Sequence, residues 1–312
     1  MLVQKRGVAT VVAAAAMVAA AVLVAPAATA AAPVVALPAD TSAAADWAPA
    51  GEAAITPGVI TTTTPGGSCT SNFVFTSGDR TFLGQAAHCA GTGAATETNG
   101  CDAGTGPLGS PVAIEAFDGT VRTGTLVYSS WVTMQRNGET DPDVCQFNDF
   151  ALVELDPADV ADVNPSVPIF GGPVGLDTDG VPAGEQVFSY GNSPLRMGVR
   201  ELSPKVGVSA GDAGGGFSHD VFTITPGVPG DSGSAFMDSD GDAIGLLSTL
   251  MLAPLPVSNG ITDMARALAY ADEFGGIGDI ELVLGTEPFT ALPAGVPLTA
   301  VAPPAGPPIG QA

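Results

Sequence analysis

A serine lies between two glycines in the segment Gly230-Asp231-Ser232-Gly233. A serine hydroxyl becomes a nucleophile when a base removes its proton and when donors stabilise the oxyanion that follows. Glycine at 230 allows a tight bend, so that the N–H groups of residues 230 and 232 can converge on one point. By itself the segment does not distinguish a nucleophile from a turn, so the chain must also supply a base and a carboxylate.

The chain contains two histidines that could act as the base. His88 follows apolar runs at 73–75 and 82–83, which predict a β-hairpin that turns at 77–79. Asp149 precedes an apolar strand and is placed to be half-buried, where it can accept a hydrogen bond from the second ring nitrogen of His88. For His219 we expect a solvated histidine at a strand entrance, with substrate recognition as the alternative.

The chain order His88, Asp149, Ser232 distinguishes among the known serine-hydrolase folds, which differ in the order of their catalytic residues. An α/β-hydrolase requires its histidine after the serine, and none follows Ser232. A subtilisin-type order requires an aspartate before His88, where Asp79 lies in a predicted turn. The order His-Asp-Ser is that of the chymotrypsin fold.

The chain resembles the chymotrypsin-fold (trypsin-like) serine proteases of the secreted bacterial type. Three blocks carry the resemblance, and two weaker blocks resemble the strand that lines the substrate cleft and the segment that leads into the last helix. Together they span about residues 69–275, at 85–89, 148–152 and 230–234 and, more weakly, at 244–248 and 259–262.

The resemblance implies a role for each residue. Ser232 would be the nucleophile, His88 the general base and then acid, and Asp149 the carboxylate that orients His88. The N–H groups of Gly230 and Ser232 would form the oxyanion hole. The implied function is that of a serine endopeptidase, which hydrolyses peptide bonds through a catalytic triad and an acyl-enzyme. A catalytically inactive secreted interaction protein and a serine esterase on the same fold are the alternatives.

The resemblance places five residues around the substrate pocket: Pro226, Gly227, Ser248, Thr249 and Leu250. Trypsin-like members carry an acidic residue six positions before the serine, where this chain has Pro226. We therefore do not expect specificity for Arg or Lys. Leu250 stands where many relatives have glycine and would narrow or block the pocket. We therefore expect the pocket to accept substrate residues with small or medium apolar side chains.

Asp231 needs a partner if it is more than a cap of its turn. In animal relatives this aspartate pairs with a newly freed N-terminal amine, which cleavage before Ile55 would supply. Some bacterial relatives use an internal arginine instead, for which Arg80, Arg196 and Arg200 are the candidates.

The four cysteines of an exported chain indicate two disulfides, and the residues alone leave three pairings open. The resemblance implies Cys69–Cys89 beside the histidine, which leaves Cys101 with Cys145.

Around these residues, the chain divides into four segments. Residues 1–30 predict a cleaved secretory signal, with Lys5 and Arg6, an apolar run and small residues at 28–30. An uncleaved membrane anchor is the alternative, since the apolar run nearly reaches the length of a spanning helix. Residues 31–54 are rich in alanine and proline and predict a linker or pro-segment, and 286–312 predict a disordered, proline-rich tail. Residues 55–285 would form the protease domain.

Short apolar runs between many turn-forming residues predict an all-β fold. We expect two antiparallel six-stranded β-barrels packed face to face, at about 55–165 and 166–262. The first would carry His88 and Asp149, and the second Ser232. One short C-terminal helix is predicted over 263–273, with Thr262 as its N-cap.

The formal charge of −23 argues against binding to nucleic acid or anionic membranes. We expect an extracellular monomer that acts on protein or peptide substrates and is not inserted in a membrane once the signal is removed. No motif indicates a cofactor or a metal. The acidic segment 238–242 is predicted to be a hairpin turn, because Thr249 stands where a calcium loop needs its glutamate.

Overall fold

The computed structural model describes residues 46–94, 96–250 and 258–292. The predicted signal, most of the predicted linker and the end of the predicted tail lie outside the described residues.

The described residues form fourteen β-strands in two antiparallel sheets. In chain order the strands are β1 (Ile60–Thr63), β2 (Ser68–Thr70), β3 (Val74–Ser77), β4 (Arg80–Gln85), β5 (Pro111–Glu115), β6 (Val121–Ser129), β7 (Ala151–Glu154), β8 (Gln186–Tyr190), β9 (Pro204–Ala213), β10 (Ser218–Ile224), β11 (Ala235–Met237), β12 (Ala243–Leu250), β13 (Asn259–Asp263) and β14 (Glu281–Leu282). The prediction of an all-β fold with two barrel-like halves is confirmed.

The two sheets differ in closure. The second is a closed six-stranded barrel in the order β10-β13-β12-β11-β8-β9. The first has eight strands in the order β14-β3-β4-β7-β6-β5-β1-β2 and is an open half-barrel rather than the predicted six-stranded barrel. Its edge strands, β14 and β2, have two and three residues and each pair with a single neighbour, so hydrogen bonds do not close the sheet.

Local sequence accounts for the elements next to the site. The predicted hairpin is present as β3 and β4, which pair from Val74 with Leu83 to Ser77 with Arg80. β7 lies between β4 and β6, and its residues 151–153 are fully buried. This burial explains why the strand reads as a continuous apolar run rather than an alternating one.

The described residues contain three α-helices, where the sequence predicted one. They are α1 (Ser130–Asn137), α2 (Pro142–Phe147) and α3 (Met264–Phe274). The predicted helix is α3, but its N-cap is Asp263, whose side chain accepts a hydrogen bond from the Arg266 N–H at 2.7 Å. Thr262, the predicted cap, instead donates its hydroxyl to the Phe147 carbonyl at 2.7 Å.

The packed region extends beyond the predicted boundaries at residues 55 and 285. Trp47 packs against the core of the first sheet, and the Ala48 N–H donates to the Val163 carbonyl at 2.9 Å. At the other end, the Phe289 ring lies 5.4 Å from that of Phe188 in the second barrel. Aromatic residues in proline-rich surroundings therefore add to the core on both sides. Among the described residues, none of the helices has the length and apolarity needed to span a bilayer.

Candidate active site

Asp149 lies between α2 and β7 and is 3% exposed. Its Oδ1 accepts the backbone N–H of His88 at 2.8 Å, and its Oδ2 lies 2.6 Å from His88 Nδ1. The Ser248 hydroxyl, from β12 of the second barrel, also donates to Oδ2 at 2.7 Å. The carboxylate thus holds His88 at both the backbone and the ring, and its own position is fixed from the opposite sheet.

His88 lies in a 3₁₀ turn, Ala87–Ala90, directly after β4. The disulfide between Cys69 and Cys89 ties this turn to β2, and the Ala87 N–H donates to the Asp149 carbonyl at 3.2 Å. The second disulfide joins Cys101 to Cys145, so the pairing is the one that the resemblance implied.

The electrostatic surroundings of His88 suit a general base. Burial alone would lower the pKa of the imidazole, but the adjacent Asp149 carboxylate outweighs burial and raises the pKa above its ordinary value. With Nδ1–H donating to Asp149, Nε2 is the nitrogen left to take up a proton. The His88 side chain is 28% exposed, and its ring lies 6.4 Å from that of Trp131.

Ser232 lies in the loop that precedes β11, and two glycines shape this loop. Gly230 has φ +94° and Gly233 has φ +86°, in the left-handed region that favours glycine. A Cβ at 233 would lie 2.6 Å from the Thr70 carbonyl and 2.9 Å from the Ala86 nitrogen. Glycine is therefore required for the loop to approach the first sheet so closely.

Thr70 of β2 holds the Ser232 loop from behind. Its N–H donates to the Ser232 carbonyl at 2.8 Å, and its hydroxyl donates to the Gly230 carbonyl at 2.8 Å. Within the described part of the chain, the N–H groups of Gly230 and Ser232 donate to no protein atom. Both residues line the same cavity as His88, so these two donors are free for a ligand there.

Two cations, Arg196 and Lys205, hold the Asp231 carboxylate. Arg196 contacts both carboxylate oxygens, with Nε 3.3 Å from Oδ1 and Nη2 on Oδ2, and Lys205 Nζ lies 2.9 Å from Oδ2. Asp231 and Lys205 are fully buried, and Arg196 is 9% exposed. Burial raises the pKa of Asp231, but the two cations outweigh burial and hold that pKa below its ordinary value.

This cluster decides among the partners considered for Asp231. Arg196, one of three arginine candidates, is a partner, but Lys205 was not foreseen. The Ile55 nitrogen instead donates to the Asp162 carbonyl at 3.1 Å and lies in the first sheet's core. A signal for Lys205 did exist in the sequence, because it is the only lysine outside the first 30 residues.

The cavity that contains these groups has a volume of about 600 Å³. It is lined by His88, Asp149, Gly230 and Ser232 together with four of the five predicted pocket residues: Gly227, Ser248, Thr249 and Leu250. Pro226 is not among the described lining residues. The sequence did not indicate Trp131 and Asn259, which also line the cavity.

His219 lies elsewhere, and the expectation that it is solvated is wrong. It is 1% exposed on β10, with Nδ1 2.8 Å from Asp212 Oδ1 and Nε2 2.9 Å from Asp263 Oδ2. Burial lowers its pKa, but the two carboxylates outweigh burial and raise it. His219 does not line the cavity described above.

The described residues contain one group of potential metal ligands close enough to share an ion: Cys69, His88 and Cys89. Both sulfurs are in the same disulfide and cannot act as thiolate ligands. The acidic segment 238–242 forms the turn between β11 and β12, where Asp238 Oδ1 accepts the N–H groups of Asp240 and Asp242 at 2.9 Å.

The two sheets carry the candidate residues between them, with His88 after β4 and Asp149 before β7 of the first sheet, and Ser232 in the loop before β11 of the closed barrel. No protein-family model and no curated protein matches the chain. Among solved structures it is similar to Thermobifida fusca protease A, at 17% identity and a TM-score of 0.45 over 74% of this chain and 100% of that chain.

Two further solved structures are similar at comparable levels. The Rv3671c protease of M. tuberculosis, in its inactive form, has 14% identity and a TM-score of 0.42 over 70% of this chain and 90% of that chain. The serine endoprotease from Yersinia pestis has 15% identity and a TM-score of 0.42 over 72% of this chain and 64% of that chain. Likenesses at these values do not decide the function, which we infer from the site.

Proposed function

We propose that the chain is an exported serine endopeptidase in which Ser232, His88 and Asp149 form the catalytic triad. The observation that carries this proposal is the pair of contacts from Asp149 to the N–H and Nδ1 of His88, in a cavity that Ser232 also lines. This arrangement fixes the tautomer of His88 that leaves Nε2 unprotonated and able to act as the base.

In the proposed reaction, the Ser232 hydroxyl attacks the peptide carbonyl and gives its proton to His88 Nε2. Negative charge then develops on the carbonyl oxygen, and the free N–H groups of Gly230 and Ser232 stabilise it. The protonated His88 donates its proton to the leaving amine, which yields an acyl-enzyme. A water molecule, deprotonated by the same nitrogen, hydrolyses the ester and regenerates Ser232.

Export and the nature of the substrate rest on features away from the triad. The predicted signal and the two disulfides support an extracellular location, where disulfides persist. The charge of −23 favours protein or peptide substrates over nucleic acid. The protein is proposed to act as a monomer, without a cofactor.

The test uses the purified protein, with its signal removed, against a fluorophosphonate probe and a peptide library. We expect wild type to be labelled and to cleave peptides, and Ser232→Ala to do neither. Ser234→Ala is the matched control, because Ser234 is fully buried and its hydroxyl has no partner among the described residues. It should be labelled like wild type.

Each other outcome contradicts a defined part of the proposal. Labelling together with ester but not peptide cleavage would indicate a serine esterase. A folded wild type that is neither labelled nor active would indicate a non-catalytic interaction protein.

A further inference from the structure

Asn259, the first residue of β13, spans the cleft next to the proposed nucleophile. Its Oδ1 accepts the Gly227 N–H at 2.9 Å, and its Nδ2 donates to the Thr249 carbonyl at 3.2 Å. The residue is fully buried and yet lines the cavity. One neutral side chain therefore joins the segment that leads to Ser232 with strand β12.

Both segments line the cavity that Ser232 lines, at 227–230 and 248–250, and form two of its walls. Gly227 to Gly230 lead directly into Ser232, and the segment's last N–H is one of the two proposed oxyanion donors. On the other side, Ser248 of β12 holds Asp149. If the proposed function holds, the residue whose carbonyl Ser232 attacks points its side chain into the space between these walls.

Two side chains, Asn259 and Leu247, pack closely against the Gly227 side of this space. A Cβ placed on Gly227 would lie 2.9 Å from Asn259 Nδ2 and 2.9 Å from a methyl carbon of Leu247, so both side chains pack directly on the Gly227 backbone. Leu247 is 3% exposed. Both polar atoms of the Asn259 amide are already bonded to the walls, so a large side chain could enter only by breaking these bonds.

The charge of the space is also defined. Among the described lining residues, the acidic ones are Glu97 and Asp149. Asp149 is committed to His88 and Ser248. Glu97 lies in the loop after the His88 turn and contacts the Gly104 N–H, away from the Asn259 amide's two partners. Among the described residues, the side chain that joins the two walls is thus a neutral amide and not a carboxylate.

We propose that Asn259 is a specificity-determining residue that closes this pocket and restricts cleavage to bonds after small, uncharged side chains such as Ala, Gly and Ser. This inference deepens the proposed function and depends on it. The narrowing role that the sequence suggested for Leu250 is secondary in this proposal, because Leu250 is 44% exposed whereas Asn259 is fully buried and bonded to both walls.

The test compares kcat/KM for matched peptides that differ only in an Ala or a Phe before the scissile bond. Wild type should prefer Ala over Phe by at least about 100-fold, and Asn259→Ala should reduce that ratio by about tenfold or more, since pocket contacts of this size discriminate to that extent. The Phe peptide should gain in kcat/KM rather than the Ala peptide merely losing. Asn259→Ser replaces the amide by a smaller hydroxyl that can still form a hydrogen bond, so its Ala-to-Phe ratio should fall between those of wild type and Asn259→Ala. It also replaces Asn259→Ala in the test if that variant does not fold.

Asn164→Ala is the control for loss of a buried asparagine. Asn164 is 1% exposed and donates to the Ala48 carbonyl and the Thr286 hydroxyl at 2.7 and 2.8 Å, far along the chain from the cleft. Its Ala-to-Phe ratio should equal that of wild type, whatever its stability.

Fluorophosphonate labelling of the same preparations separates the two possible failures. Labelled proteins whose ratio is unchanged by the Asn259 substitutions, or a wild type that prefers Phe or Arg, would overturn the role of Asn259 and leave the proposed function intact. A folded wild type that is not labelled would overturn both.

Discussion

The buried cluster of Asp231, Arg196 and Lys205 contains two cations and one anion. Replacing the anion leaves two like charges buried without a counter-ion, whereas replacing one cation leaves a neutral pair. We therefore expect a marked asymmetry between two substitutions. Asp231→Asn should lower the free energy of unfolding by about 3–5 kcal/mol, the cost of breaking a buried pair from one side. Lys205→Met should lower it little or raise it near neutral pH.

The magnitude for Lys205 follows from its pKa. Burial lowers that pKa from its ordinary value of 10.5 to about 8, although Asp231 acts to raise it. A folded-state pKa below the unfolded one means that the folded state binds fewer protons between these two values. Stability therefore rises with pH across this window. At about 1.4 kcal/mol per unit of difference, the rise is about 3 kcal/mol.

The assay is urea unfolding of wild type and Lys205→Met at several pH values from about 7 to 10, with Asp231→Asn at about pH 7. All other titrating groups are shared, so the difference between wild type and Lys205→Met isolates this one amine. We expect wild type to gain about 2–3 kcal/mol relative to the variant over that range. Parallel stability profiles, or a Lys205→Met variant as unstable as Asp231→Asn, would refute the reasoning about the buried charge.

Three further predictions concern the proposed triad. Ser248→Ala removes the 2.7 Å hydrogen bond to Asp149. Because a hydrogen bond to a charged group contributes about 1.5–3 kcal/mol, kcat should fall at least about tenfold while KM stays nearly constant. An unchanged kcat would show that this bond does not position Asp149. The rate of peptide hydrolysis should rise with pH as His88 loses its proton. The inflection should follow the pKa of His88, which Asp149 keeps above its ordinary value. Asp149→Asn should move this inflection to lower pH and lower the plateau in a pH–rate profile, and an inflection that stays in place would contradict the coupling. Replacing Cys69 and Cys89 by alanine removes a disulfide with a sequence separation of 20. The free energy of unfolding in urea should fall by about 3 kcal/mol. A fall below about 1 kcal/mol would mean that other contacts hold the turn that carries His88.

The sequence predicted best what local signals encode. The hairpin of β3 and β4, the strand after Asp149 and the helix α3 each have a contiguous apolar pattern, a turn or a cap, and the structure contains all three. The eight-stranded, open form of the first sheet was not predictable in this way, because one of its edge strands is β14, a two-residue strand that pairs with β3 from about 200 residues further along the chain. Pairing at such a distance leaves no local pattern.

The residues of the candidate site also differ in whether a local sequence signal or a long-range contact identifies them. His88, Asp149 and Ser232 could be named as candidates because each lies in a block with its own chemistry, and all three line one cavity in the structure. Asn259 and Lys205 were missed as functional candidates because their roles depend on contacts across the barrel. An asparagine at the start of a strand has no special meaning until the fold brings it against Gly227. Lys205 is conspicuous as the only lysine outside the first 30 residues, but its partner Asp231 is evident only in the fold.

The two aspartates near the proposed nucleophile have opposite electrostatic tasks, and their partners explain how both can be present. Asp149 is paired only with neutral or titratable groups, so in the proposed reaction no fixed cation opposes its stabilisation of the imidazolium that would form on His88. Asp231 precedes Ser232, where an uncompensated negative charge would oppose the oxyanion. Arg196 and Lys205 turn that charge into a buried cluster of net +1 next to the Ser232 loop, which would favour the proposed oxyanion instead. The charge of the buried lysine is thus expected to reduce stability at neutral pH and to favour the proposed transition state, so Lys205→Met should lower stability little or raise it and should slow catalysis.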